Sequence, residues 1–166
     1  MKHKQVLFLT QAAVIAAVYV VLTMVFAPIS FGQSGVDVRI AEALTILPVF
    51  TPAAVPGLFV GCLLANILGG SILWDVQFGS LATLIGAAGC RMLRHHRWIA
   101  PLVTVAANTV VVPLVLIYGY GLAMPLPLLM ASVGAGEVLS AYVLGEVLYT
   151  ALRPIRAHLF GAAQAG

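Results

Sequence analysis

Charge is scarce in this chain. Of its 166 residues only five are acidic and eight basic, 62% are hydrophobic, and the mean hydropathy is +1.10. So little polar surface cannot coat a water-soluble globule, which excludes a soluble enzyme or a soluble binding module. Histidine is missing from every long apolar run, because His3, His95, His96 and His158 all fall in flanking segments. No imidazole therefore stands at membrane depth to relay protons, hold a metal or activate a nucleophile. The patterns GxSxG and HExxH are absent, as is a Walker-type phosphate loop, so the chain has no recognisable hydrolase site and cannot hydrolyse nucleotide alone. His95 and His96 beside Arg94 and Arg97 read as a solvated turn. The two cysteines, Cys62 within an apolar run and Cys90 near a basic segment, suggest neither a disulfide nor a metal site. No catalytic residue, no metal and no bound cofactor are expected, and the chain reads as a non-enzyme.

What is present is a series of apolar runs, over residues 6–26, 40–51, 55–68, 76–93, 99–119 and 126–152. Several reach or approach the roughly 20 residues a helix needs to cross the hydrocarbon. Period-2 alternation is absent, which argues against an outer-membrane barrel. Pro28 with Gly32 and Gly35, then Pro52 and Pro56, Gly69 and Gly70, Pro101, and Pro125 with Pro127 punctuate the runs. The fold expected is an all-α integral membrane protein, a compact bundle of six transmembrane helices forming one domain over residues 1–166.

Basic residues set its orientation. Lys2 and Lys4 precede the first run, Arg91, Arg94 and Arg97 lie between the fourth and fifth, and Arg153 and Arg156 follow the sixth. By the positive-inside rule these three sites share the cytoplasmic side, so both termini are cytoplasmic. The Arg39, Asp75 and 118–126 regions then lie outside. The net charge of +3 reflects this topology rather than a nucleic-acid partner. The first run is too long for a signal peptide and no cleavage site follows, so it reads as a retained helix.

A few polar groups remain at membrane depth, where a charge costs several kcal/mol and usually faces protein or a cavity. Glu137 lies 11 residues into the sixth run, about 16 Å from its outer end, flanked by Gly134 and Gly136; a binding role and a structural one both fit. Glu146, nine residues on, falls on the opposite face of a regular α-helix, and an ion pair or snorkelling contact with Arg153 is expected. Asn108 in the fifth run shares a face with Thr104 and reads as interhelical glue or a ligand contact. Arg39 and Glu42 start the second helix, are expected to bridge each other, and would order the loop over residues 31–37. Trp74 and Asp75 occupy an outer turn, Trp74 as an interfacial anchor or as a lid stacking on a flat ligand. Ala12, Ala13, Ala16 and Ala17 form a smooth strip where another helix can approach, and Gly57 and Gly61 offer a similar surface.

Three stretches, RIAEALTILP over 39–48, VPGLFVGCLLANILGG over 55–70 and DVQFGSLATL over 75–84, resemble the QueT family of queuosine-precursor transporters. These are substrate-binding S components of energy-coupling factor (ECF) importers. The resemblance covers essentially the whole chain, with a departure at Asp37 and Val38, where members more often carry Gln and an aromatic. It implies a prokaryotic, multi-pass plasma-membrane subunit that captures a 7-deazaguanine compound outside the cell. It also implies partners: a membrane-embedded T component and two cytoplasmic ATPases, which hydrolyse the ATP. The alanine strip would be the face toward the T component. Glu137 would accept from the ring N–H and exocyclic amine of the base, Asn108 would address its carbonyl edge, and Trp74 would stack on it. Asp75 or Glu42 would hold an aminomethyl arm if the ligand carries one. The alternatives are an S component for a flavin or pterin-like vitamin and, more remotely, a stand-alone membrane enzyme or channel.

Overall fold

The structure is a computed structural model and describes residues 2–30 and 39–161. The expected loop over residues 31–37 and the Asp37 and Val38 departure lie outside these. Among the described residues the chain is helical and contains no strand. Helix α1 spans Lys2–Ser30, α2 Ala54–Leu68, α3 Ser80–Met92, α4 Ala100–Tyr118, α5 Leu126–Glu137, α6 Gly145–Leu152 and α7 Arg156–Phe160. Among the described residues, three stretches are long and apolar enough to cross a membrane: His3–Ala27, Ala100–Tyr118 and Leu126–Phe160. Ile40–Val49 and Ala54–Leu68 are shorter apolar helices.

The second apolar run is not an α-helix. Ile40–Val49 winds as a 3-10 helix, with every side chain from Ala41 to Pro48 buried. Two local features interrupt an α ladder here. Thr45 Oγ1 donates to the Glu42 carbonyl at 2.6 Å, and Pro48 has no N–H while its ring crowds the carbonyl four residues back. Tighter winding also lengthens the segment, to about 20 Å at 2.0 Å per residue against about 15 Å as an α-helix. It becomes the central rod of the bundle, contacting α1, α3, α6 and the segment that follows α5.

Two segments are wound the other way. Asp75–Gly79 leads into α3 as a π-helix, and Val138–Leu144 joins α5 to α6 as another. Across seven π residues the phase slips by roughly 20° per residue relative to 100°. The opposite-face argument for Glu137 and Glu146 therefore does not hold as an angle, although nine residues still separate them along the axis.

Small residues set the helix contacts. Gly57 and Gly61 of α2 face Ala12, Ala16 and Tyr19 of α1; a Cβ at Gly57 would lie 2.7 Å from the Ala12 carbonyl oxygen, and one at Gly61 2.9 Å from Tyr19 Cβ. Gly86 fits against Thr104, and Gly134 against Thr109, so α4 sits between α3 and α5. This is how apolar helices associate where lipid removes the hydrophobic driving force: close backbone approach gains dispersion contact. The alanine strip consequently divides. Ala16 is buried and Ala12 half-buried against α2, while Ala13 and Ala17 remain exposed.

The basic end is closed by aromatic stacking. Phe50 stacks on Tyr149 and Phe160 at centroid distances of 4.9 Å and 5.8 Å. Gln11 accepts from Thr51 Oγ1 at 2.9 Å and donates to the Leu159 carbonyl at 3.2 Å. Glu146 pairs with Arg97 at 2.8 Å, which corrects the expected Arg153 partner. The Arg97 guanidinium also lies over Trp98 and Tyr149, 4.1 Å and 4.9 Å from their centroids. A planar cation with two aromatic faces to cover favours this site over the exposed Arg153.

Candidate functional site

Buried polar side chains gather between the helices rather than at one surface. Glu42, Thr45, Ser80, Thr83, Thr104, Asn108, Glu137 and Ser140 are each at most 2% exposed. Asn108 lies between Thr104, which meets Gly86 of α3, and Thr109, which meets Gly134 of α5. Glu137 follows Gly134 by three residues, within a turn of that contact. Asn108, on α4, and Glu137, the last residue of α5 before the π segment, are thus both buried near the contact between these two helices. Ser140 Oγ donates to the Gly136 carbonyl at 2.8 Å. Four buried atoms around this layer, Asn108 Nδ2, Thr104 Oγ1, Thr109 Oγ1 and Ser80 Oγ, have no hydrogen-bond partner among the described residues. Native interiors satisfy nearly all such groups, and each exception calls for a cause.

A second polar chain runs from α1 to the end opposite the basic residues. Tyr19 Oη donates to Glu42 Oε1 at 2.6 Å. Thr83 Oγ1 and Asn66 Nδ2 lie 3.3 Å and 3.7 Å from Cys62 Sγ. Asn66 Nδ2 also donates to the Asp75 carbonyl at 3.3 Å, and Tyr120 Oη donates to Asp75 Oδ2 at 3.1 Å. Asp75, expected in an outer turn, is 4% exposed. Beside this chain lies a cavity of about 80 Å³ whose polar lining is Tyr19, Thr23, Arg39, Asn66 and Ser71.

Arg39 therefore stands at a cavity, and Glu42 has Tyr19 as a partner. Trp74 is 58% exposed, stacked on Phe78 at 5.5 Å, and lines an apolar groove with Leu114 and Tyr118. Among the described residues no group of three or more His, Cys, Asp or Glu side chains is placed to hold a metal.

Tyr19, Asn66, Ser80, Thr83 and Tyr120 were not singled out from sequence. Tyr19 carried a usable signal, a phenol on the otherwise aliphatic face of α1 one turn beyond Ala16. Tyr120 carried none, because its link to Asp75 spans 45 positions.

The chain is similar to known proteins in two comparisons. The family model described as QueT transporter matches residues 9–154. A Queuosine precursor transporter QueT from Lactococcus lactis subsp. cremoris (strain MG1363) is 33% identical over 88 residues, 51% of this chain and 50% of that protein. The chain thus spans about half the length of the relative it matches. No solved structure matches it.

Proposed function

Because the chain belongs to the QueT transporter family, a family of transporters and not of enzymes, we propose that it captures a queuosine precursor, a 7-deazaguanine compound, for import. In this reading it crosses the plasma membrane six times, with both termini and the basic end in the cytoplasm and the turns around Asp75 and Tyr120 outside. It is the S component of an ECF importer. A T component and two ATPases supply the energy, and the T component meets the exposed Ala13 and Ala17 side of α1 rather than the inward Ala12 and Ala16.

The observation that carries the proposal is the polar layer around Asn108 and Glu137. A guanine-like edge offers a ring N–H and an amine to the Glu137 carboxylate and a carbonyl to Asn108 Nδ2, in a low-dielectric site where charge-assisted hydrogen bonds are strong. Arg39 and the cavity beside Asn66 would contribute further polar contacts at the outer side. Trp74, exposed beside Phe78, serves as an interfacial anchor.

Two measurements test this. Native mass spectrometry of the purified chain should reveal a bound 7-deazaguanine. Uptake in cells should require co-expression of a T component and ATPases, and uptake that persists without them would exclude the S-component role.

A further inference from the structure

The basic end of the bundle carries charge that the chain itself does not answer. Arg94, His95 and His96, in the turn between α3 and α4, and Arg153 and Arg156, beyond α6, are all exposed. Among the described residues no carboxylate lies within 4.0 Å of any of these three arginines. The acids are engaged elsewhere: Glu42 accepts from Tyr19 and Asp75 from Tyr120, Glu137 is buried, and Glu146 is paired with Arg97.

The turn is fixed at both of its ends. Arg91, in the last turn of α3, donates to the Pro48 carbonyl at 3.1 Å. Arg97 meets Glu146 of α6 at 2.8 Å, with Trp98 and Tyr149 against its guanidinium. Arg153 follows Tyr149 by four residues, about one helical turn, so the arginine turn is tied to α6 just ahead of the second group of charges.

Depth decides what can meet these charges. Twenty residues separate Leu126 from Glu146, about 30 Å at 1.5 Å per residue, which is the thickness of the hydrocarbon. Arg153 stands about 10 Å farther along, at the level of the lipid headgroups. Exposed apolar side chains stand beside the arginines in the chain: Met92, Trp98, Ile99 and Ile155. An acidic soluble protein would leave these unmatched, whereas lipid offers acyl chain to them and phosphate to the guanidinium groups.

We propose that this end of the bundle selects anionic phospholipid, Arg94 and Arg153 donating to phosphate oxygens while Trp98 rests against the acyl chains. The inference rests on the chain crossing a membrane and is independent of the cargo. A guanidinium matches two phosphate oxygens with parallel N–H groups. A zwitterionic headgroup brings its own cation close to the phosphate, so only the anionic lipid leaves a net charge for the arginines to neutralise. That attraction acts within a Debye length, about 8 Å at physiological salt.

The chain has two tryptophans, both exposed and at opposite ends of the bundle, which gives the test its own control. Trp74→Phe leaves Trp98 as the reporter, and Trp98→Phe leaves Trp74. Each variant of the full chain is placed in nanodiscs containing phosphatidylglycerol or phosphatidylcholine brominated in the acyl chains, and fluorescence quenching against the brominated fraction gives the relative affinity. Trp98 should favour brominated phosphatidylglycerol about three- to tenfold, and Trp74 should show less than about a twofold preference. Arg94→Gln combined with Arg153→Gln, at two exposed positions, should bring the Trp98 preference below about twofold and leave Trp74 unchanged. Lysine at the same two positions keeps the charge and should keep at least about half the preference. Equal quenching of Trp98 by the two lipids, the same preference at both tryptophans, or a preference that survives the two glutamines overturns the proposal. A Trp98 that neither lipid quenches overturns it too, since the turn would then face water or a soluble partner.

Discussion

Replacing Gly61 by alanine tests the α1–α2 contact on which the bundle is built. The added Cβ would stand 2.9 Å from Tyr19 Cβ and 3.0 Å from both the Cα and the carbonyl oxygen of Ala16. Two of these are backbone atoms and cannot rotate away. Ordinary contact begins near 3.4 Å, so α1 must retreat by about 0.5–1 Å, which forfeits a quarter to a half of the dispersion along that face. Overpacking of this kind costs about 1–3 kcal/mol. For a chain of this size that is a fall of about 2–12 °C in Tm. The shift also strains the 2.6 Å Tyr19–Glu42 hydrogen bond, which spans the same interface. Cys62 and Cys90 are both free and buried, so thermal unfolding in detergent can be followed by labelling with a thiol-reactive dye. Gly145→Ala is the internal control. Its Cβ would lie 3.7 Å from the Ala43 carbonyl oxygen and from Ile46 Cβ, an ordinary contact, and alanine is the better helix former. It should raise Tm or leave it unchanged. A Gly61→Ala protein as stable as the parent would refute the close approach of α1 and α2.

Arg97→Lys should destabilise the chain by about 1 kcal/mol, since an ammonium keeps the charge opposite Glu146 but loses the stacking on Trp98 and Tyr149; a double-mutant cycle with Glu146→Gln in the same dye assay measures the coupling. Tyr19→Phe removes the donor to Glu42 Oε1 and should cost about 1–3 kcal/mol, read as a lower Tm. Ala12→Leu should lower the Tm of the isolated chain, whereas Ala13→Leu should leave it unchanged and weaken co-purification with a T component. The reverse pattern would place the partner on another face.

The helical class, the positions of the apolar segments and the clustering of basic residues at one end were legible because burial in lipid leaves a compositional trace in every segment. Winding was not. Reading helices at 100° per residue cannot reveal that residues 40–49 tighten into a 3-10 helix or that residues 75–79 and 138–144 loosen into π turns, and these set where Glu42, Asp75 and Glu137 point. The alanine strip was visible, but not that half of it is used internally on Gly57 and Gly61, because the facing surface lies some 45 positions away. For the same reason Glu146 was assigned the nearest arginine in sequence, while its partner Arg97 is 49 positions distant. Asn108 and Glu137 were found correctly as buried polar groups, since an amide and a carboxylate inside apolar runs are costly wherever they point. The close seating of α4 between α3 and α5, which Gly86 and Gly134 permit, leaves no such trace in the sequence.

The central claim is that the Asn108–Glu137 layer holds the base of a 7-deazaguanine. Titrating that ligand into Glu137→Gln tests it most directly, because glutamine keeps the volume and removes the charge. The account predicts at least a tenfold loss of affinity, as expected when a charged acceptor is neutralised in a dry site. Affinity equal to that of the parent chain would contradict it.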